Sequence, residues 1–300
     1  MSNNKWHIDN LRRLLISQQE EYQRLGLEHE LYAETDKAFY SQWLHHRLLM
    51  LSLIPEEYRK DGAKVIDIGG GKGRMSVLLS GLGLECVNID CLYLETESLN
   101  TEGKPLIPLL KNYCEKKGVR VLADDFYQKG IPFADDTFDL AIFSEVIEHL
   151  PNSPKPLLSE IYRTLRKGGH LILTTPNMVA RSNRLRVVLG RSIREPIESF
   201  YKMEGCPLGS IYRGHNREYV LPEVEYMLTQ ENFAIIHAQT CNYSPPSRIG
   251  KIFHKIADNL ANAWHSDHLG IKEAFITLGR KMNKIVSFEM AHFIVVLARK

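Results

Sequence analysis

Three hundred residues, 44% hydrophobic and 25% charged, are enough to bury one large core with an added cap. A formal net charge of +2 excludes a protein built mainly to hold nucleic acid through a whole-surface positive field. Five cysteines without a CxxC pair or a preceding signal peptide lead us to expect a reducing, cytoplasmic setting, and no run approaches the roughly 18 apolar residues of a membrane span.

In chain order, the first sixty residues read as helices. Leu11, Leu14 and Leu15 recur at helical spacing, as do Phe39, Trp43, His46 and Leu49 before Pro55. We expect a helical lid over 1–60. From Lys64 short β-rich runs alternate with helical patterns: a strand Lys64–Ile68, a helix to about Ser80, a strand Cys86–Ile89, a helix containing Leu109 to Lys117, and a strand Val119–Leu122. This is the rhythm of βαβ units on a parallel sheet. Phe138–Ser144 reads as a fourth strand, with a continuous apolar run Leu140–Phe143 as a strand buried on both faces should have. The stripe Leu157, Leu158, Ile161, Leu165 predicts a helix closed by Arg166, Lys167 and the pair Gly168-Gly169, before a fifth strand His170–Thr175.

Residues 178–219 lack strong periodicity and read as an inserted cap. They carry Arg181, Arg184, Arg186, Arg191 and Arg194 with no acidic residue between the first and the last. The ordinary reading is a solvated face; an anionic substrate or a membrane surface is the functional one. A helix Leu221–Thr229, a strand Phe233–Ala238, a basic helical stretch over 248–288 and a closing strand Phe293–Ala298 complete the chain. The expected division is thus a lid over 1–60, a core over 61–177, a cap over 178–219, and completion of the core by 220–300.

The central signal is Val65-Ile66-Asp67-Ile68-Gly69-Gly70-Gly71-Lys72-Gly73-Arg74, a strand entering a glycine-rich turn and then a helix. Glycines permit positive φ and close approach of backbone to ligand, while a helix start offers free N–H groups. Arg74 stands where a dinucleotide fingerprint needs its third glycine, and Gly73 where a P-loop needs Ser or Thr, so both are excluded.

The remaining G-x-G-x-G with an acid two residues upstream resembles motif I of the class I S-adenosylmethionine-dependent methyltransferases. That resemblance covers about residues 64–177 and implies a Rossmann-like fold: a seven-stranded, mainly parallel α/β sheet with helices on both faces. It implies that Gly69, Gly70, Gly71 and Gly73 lie against the amino acid part of S-adenosylmethionine, with Asp67 near its ammonium. Asp90, 17 residues after Gly73, would hold the ribose hydroxyls. In Ala123-Asp124-Asp125-Phe126, Asp124 would meet the adenine amino group, and Asp125 would offer backbone. Ser144, ending the fourth strand, joins the cofactor set.

The same strand leads into Ser144-Glu145-Val146-Ile147-Glu148-His149-Leu150-Pro151. If this is helical, Glu145, Glu148 and His149 share a face, and His149, with a near-neutral ordinary pKa, can act as general base. Quinone-biosynthesis O-methyltransferases and small-RNA 2′-O-methyltransferases resemble the chain here. By that likeness Glu145, Glu148, His149 and a later His215 would hold a divalent metal such as Mg²⁺; a plain His149 base stays open beside it.

Thr174-Thr175-Pro176-Asn177, the Arg run, and His215 to Tyr219 resemble methyltransferases of sugars, polysaccharides or lipid-linked metabolites. The expected partner is a small-molecule or glycan acceptor, with arginines suited to a phosphate on it, and peripheral membrane contact is a further reading. A metal-dependent RNA 2′-O-methyltransferase and a non-catalytic S-adenosylmethionine-binding protein are the alternatives. The chain lacks an evident RNA-binding module, which disfavours the first, and its complete cofactor set disfavours the second.

Overall fold

The computed structural model describes residues 5–27, 37–91, 103–194, 197–202, 214–241 and 292–300. Two helices, α1 (Ile8–Arg24) and α2 (Lys37–Leu53), precede the first strand, β1 (Lys64–Ile68). Then follow α3 (Arg74–Gly81), β2 (Glu85–Asp90), α4 (Leu106–Lys116), β3 (Val119–Ala123), α5 (Phe126–Lys129), β4 (Phe138–Ser144) and α6 (Lys155–Thr164). The chain continues through β5 (Leu165–Pro176), α7 (Arg181–Val188), α8 (Ile197–Lys202), α9 (Leu221–Gln230), β6 (Ala234–Cys241) and β7 (Phe293–Arg299). The basic stretch expected over 248–288 lies outside the described residues.

All seven strands form one sheet in the order β3-β2-β1-β4-β5-β7-β6. The first five are parallel, and β7 runs antiparallel to both β5 and β6. The mainly parallel sheet expected from the sequence is therefore present. Alternation along each central strand explains why helices cover both faces. From β1 and β4, Val65, Leu140 and Ile142 join a core containing Leu11 and Leu15 of α1, Leu79 of α3 and Leu110 of α4. Ile66, Ala141 and Phe143 point the other way, onto Leu157 and Ile161 of α6 and Val224 of α9.

The strand order reverses between β1 and β4. In open α/β sheets such a switch point leaves a crevice at the carboxyl ends of the strands, because the two flanking connections leave on opposite faces. The glycine turn follows β1 and the Glu145–His149 segment follows β4, so both sequence signals open onto the same crevice.

One boundary departs from the sequence reading. The helical stripe predicts that α6 runs through Arg166 and Lys167 to a glycine stop, but the helix ends at Thr164 and Leu165 is already extended, at φ −70° and ψ 137°. Pairing decides this, because Leu165 lies opposite Phe138 in the sheet and is fully buried. The ladder resumes at Leu140 opposite His170, so the stretch between forms an irregularity in β5. Arg166 spends its charge on Asp139 of β4 instead of a helix end. A Cβ at Gly169 would stand 2.8 Å from the Arg166 carbonyl oxygen and 3.2 Å from those of Phe138 and Asp139.

These neighbours are backbone and cannot swing aside. Gly169→Ala is therefore expected to cost on the order of 1–3 kcal/mol by overpacking. Urea unfolding checks this, and an unchanged midpoint would contradict the close approach.

Candidate functional site

The side of the crevice that follows β1 is built from backbone. Gly69, Gly71 and Gly73 have φ of 68°, 53° and 76°, a region costly for any residue with a Cβ. Space is as restrictive as dihedral angle. A Cβ at Gly69 would come within 2.5 Å of Val146 Cγ2, and one at Gly70 within 2.5 Å of Asp67 Oδ2 and 2.6 Å of Asn88 Oδ1. At Gly71 nothing stands within 4 Å of the corresponding point, so this residue faces open space. Side chains of β2 fasten the turn. The Gly71 N–H donates to Asp90 Oδ2 at 2.6 Å, Asn88 Nδ2 donates to the Gly71 carbonyl at 3.2 Å, and the Gly69 N–H donates to the Ile89 carbonyl at 2.9 Å.

Helix α1 closes over the turn from outside. Tyr22 Oη donates to the Lys72 carbonyl at 3.0 Å and Gln18 Nε2 to that of Arg74 at 2.8 Å, while the Arg74 guanidinium sits 4.8 Å from the centre of the Tyr22 ring. Burial lowers the Lys72 pKa to about 8 and that of Arg74 to about 10.

Asp67 is buried and accepts a hydrogen bond from Ser76 Oγ of α3 at 2.7 Å. Burial raises its pKa to about 6, the Ser76 bond opposes the rise, and the charge of Asp90 adds to it. Buried Arg47 of α2 lowers it in turn, which brings an N-terminal arginine into the electrostatics of the turn. At the end of β3, Asp124 is paired with Lys129 at 2.8 Å and caps the Asp125 N–H at 2.8 Å; Asp125 in turn caps α5. Ser144 Oγ lies 2.7 Å from Thr174 Oγ1.

Beyond β4 the segment is not helical throughout. Glu145 takes a left-handed φ of 55°, and only Ile147–His149 form a single 3₁₀ turn. The shared face expected of Glu145, Glu148 and His149 is therefore broken. The Glu145 N–H donates to the Thr174 carbonyl at 2.9 Å, and its carboxylate accepts from Thr174 Oγ1 at 2.9 Å and faces buried His46 of α2 at 3.8 Å. Burial first, then the charges of Arg47 and His45, lower the His46 pKa to about 3.

Glu148, His149 and His215, by contrast, converge, with one ligand atom from each lying within 4.8 Å of the others. Glu148 is fully buried; Oε2 accepts from Thr175 Oγ1 at 2.9 Å, whereas Oε1 has no hydrogen-bond partner among the described residues and faces His149 Nε2 at 3.8 Å. Burial pushes its pKa well above the usual carboxylate range. The His149 and His215 rings meet edge-on at 4.8 Å, and His215 Nδ1 lies 3.3 Å from Glu218 Oε1. Backbone joins the two segments. The N–H groups of Asn216 and Arg217 donate to the Glu148 carbonyl at 2.7 and 3.1 Å, and Asn216 Nδ2 donates to that of His149 at 2.9 Å.

The structure thus brings together three of the four residues read from the sequence as metal candidates and puts Glu145 in a separate cluster. Sequence reasoning missed Thr175 and Glu218 as partners, although Glu218 stands three residues after His215 in a segment already singled out. It also missed Arg47 and gave no role to the neighbouring His46; nothing in a helical pattern marks a polar residue as facing a crevice formed by strands far along the chain.

A glycine turn after β1, an acid ending β2 and a polar cluster after β4, all around one switch point, define a Rossmann-like S-adenosylmethionine-dependent methyltransferase domain. A family model for the methyltransferase domain matches residues 32–238, and the chain belongs to that family. Among curated relatives it is 26% identical over 174 residues to a ubiquinone biosynthesis O-methyltransferase of Glaesserella parasuis, covering 57% of this chain and 65% of that protein. To the mitochondrial ubiquinone biosynthesis O-methyltransferase of Mus musculus it is 27% identical over 132 residues, covering 44% and 34%. The matches therefore span less than two thirds of either relative. A solved methyltransferase from Archaeoglobus fulgidus shares the fold at 17% identity and a TM-score of 0.52, over 87% of this chain and 94% of that one. S-Adenosylmethionine is the cofactor of these enzymes.

The raised pKa of Asp67 has a consequence for stability. An acid whose folded pKa exceeds its unfolded one stabilises the fold while protonated; the contribution is complete below about pH 4 and lost as pH rises through the folded value, here about 6. Asp67→Asn keeps an acceptor for Ser76 Oγ without the charge. It is expected to stabilise the unliganded protein at pH 7 by on the order of 1–3 kcal/mol and to leave it nearly unchanged at pH 4. Thermal melts across this range test the sign, and a variant that melts lower than the parent at pH 7 would contradict it.

Proposed function

We propose that the whole protein is an S-adenosylmethionine-dependent O-methyltransferase acting on a hydroxyl of a small-molecule, sugar or lipid-linked acceptor, with Glu148, His149 and His215 at the acceptor end. The observation that carries this reading is Glu148, a fully buried carboxylate with one unbonded oxygen turned towards two imidazoles. A buried carboxylate is costly to ionise unless a cation matches it, and one carboxylate with two imidazoles is a donor set that suits a divalent metal. Such an ion, when bound, lowers the pKa of a coordinated hydroxyl.

On the cofactor side, the turn Gly69–Gly73 and Asp67 hold the amino acid portion, Asp90 the ribose, and Asp124 with the Asp125 amide the adenine edge, with Ser144 lining the crevice between the two halves. S-Adenosylmethionine, when bound, supplies a methyl carbon activated by its sulfonium. What the chain contributes is alignment of the hydroxyl and removal of its proton. His149, the more accessible imidazole with its side chain 37% exposed, is the group suited to accept that proton. Glu218 orients His215 through Nδ1 and acts as a positioning residue. Residues 1–60, with Tyr22 and Gln18 bonded to the cofactor turn, are suited to excluding water from the crevice.

Calorimetric titration with S-adenosylhomocysteine tests the cofactor half. Micromolar binding is expected, weakened about tenfold or more by Asp90→Ala, since a charged hydrogen-bond acceptor is lost; absence of binding in the parent would sink the reading. Titration with Zn²⁺ or Mn²⁺ tests the other half. Binding lost in His215→Ala supports the ion, and equal binding removes it, leaving His149 as a plain base. In either case His149→Ala is expected to abolish turnover while S-adenosylhomocysteine affinity stays intact.

A further inference from the structure

Apart from Arg194, which holds the backbone of His215, the Arg run finds no use in the cofactor or acceptor clusters, and its surroundings are unusual. None of the eight residues of α7 is buried. A surface helix ordinarily turns an apolar stripe inward, and a helix this short has little stability of its own in water. Yet Leu185, Val187, Val188 and Leu189 are 59, 62, 82 and 59% exposed, and α8 adds Ile197 at 68% and Tyr201 at 84%. Scattered exposed apolar residues are normal; six of them within 17 residues on two successive short helices form a patch that marks an interaction surface.

Charge identifies the occupant. Arg181, Arg184, Arg186, Arg191 and Arg194 are exposed, and residues 178–194 contain no Asp or Glu. Arg186 Nε donates to the Ser192 carbonyl at 2.8 Å, and Arg194 Nη1 donates to those of His215 and Asn216 at 2.8 and 2.7 Å. These acceptors are neutral, so the bonds fix the guanidinium groups without cancelling their charge. Bulky apolar side chains interleaved with exposed arginines, of which Arg186 and Arg194 are held by neutral carbonyls, match the boundary of an anionic bilayer, where apolar groups enter the acyl region and guanidinium groups meet phosphates.

We propose that the surface formed by α7, residues 189–194 and α8 docks on an anionic phospholipid membrane, the arginines of α7 and 189–194 outnumbering the one acid of α8, Glu198. The surface borders the acceptor cluster. Arg194 holds the backbone of His215, the Met178 N–H donates to the Tyr219 carbonyl at 2.9 Å, and Asn183 Nδ2 reaches Glu218 Oε2 at 3.4 Å. Docking therefore sets the acceptor end of the crevice beside the headgroups. Resting on the methyltransferase reading, this selects the lipid-linked acceptor among the three classes, a polar head carrying the hydroxyl on an apolar tail that stays in the bilayer.

The test uses the full chain and vesicles, with no turnover needed, so its outcome is independent of whether methyl transfer occurs. Flotation is compared on vesicles of roughly one part phosphatidylglycerol to three parts phosphatidylcholine and on phosphatidylcholine alone, at low and high salt. Binding is expected on the anionic vesicles only, and weaker at high salt. The double variants Arg181→Gln with Arg186→Gln, and Val188→Gln with Leu189→Gln, are each expected to weaken it about tenfold or more. Unchanged melting and S-adenosylhomocysteine titration establish that each variant is folded. The proposal is overturned if the parent does not float with anionic vesicles, if both variants bind as well as the parent, or if binding is equal on neutral lipid. It is also overturned if the parent is instead a dimer that Val188→Gln with Leu189→Gln disperses.

Discussion

Everything functional in this chain depends on where the sheet reverses its order of growth. Strand β1 is joined to β2 on one side and β4 on the other, so the loops leaving β1 and β4 face each other across one crevice. That adjacency is direct. Val146, just after β4, packs so closely on Gly69, just after β1, that no side chain fits at the glycine. A glycine turn and a carboxylate-histidine segment nearly eighty residues apart in sequence are thus brought into van der Waals contact by the pairing of β1 with β4.

The crevice stores electrostatic cost on both sides. Asp67 and Glu148 are buried carboxylates with raised pKa values; Asp67 is held by the hydroxyl and backbone of Ser76, and Glu148 by the Thr175 hydroxyl with one oxygen left unbonded. A stability-optimised fold would replace such groups by apolar ones. Their presence at the ends of β1 and β4, with His46 buried nearby and its pKa depressed, follows the common pattern in which strained electrostatics gather where a charged ligand will be matched. Arg47 shows the other side of the same economy: a buried guanidinium supplied from α2 offsets part of the cost at Asp67.

Much of this was legible beforehand. The order of elements, the apolar run within β4 and the glycine turn follow from local pattern, because strand burial and positive φ leave their marks on a few consecutive residues. The failures came where tertiary pairing overrides local preference. Leu165 completes a helical stripe yet serves the sheet, because pairing with Phe138 fixes its backbone as extended. Glu145 has helical spacing to Glu148 yet is turned away by a left-handed φ and a hydrogen bond to β5. His215 was placed by its position before α9, but its partner Glu218 and the Thr175 bond to Glu148 needed three dimensions. The reading of the Arg run as a solvated face agrees with α7, which buries none of its residues, but the extent to which its Leu and Val residues stand exposed with the arginines needed the structure.

The two N–H groups that Asn216 and Arg217 direct at a single carbonyl, that of Glu148, bear on how such a chain can diverge. They splice a late loop onto the segment that follows β4, and a second tie, the bridge between Asn177 and Tyr219, lies beside it. Main-chain hydrogen bonds of this kind ask only for an N–H at those two positions, so the join between the late loop and the Glu148–His149–His215 triangle does not depend on which side chains the loop presents.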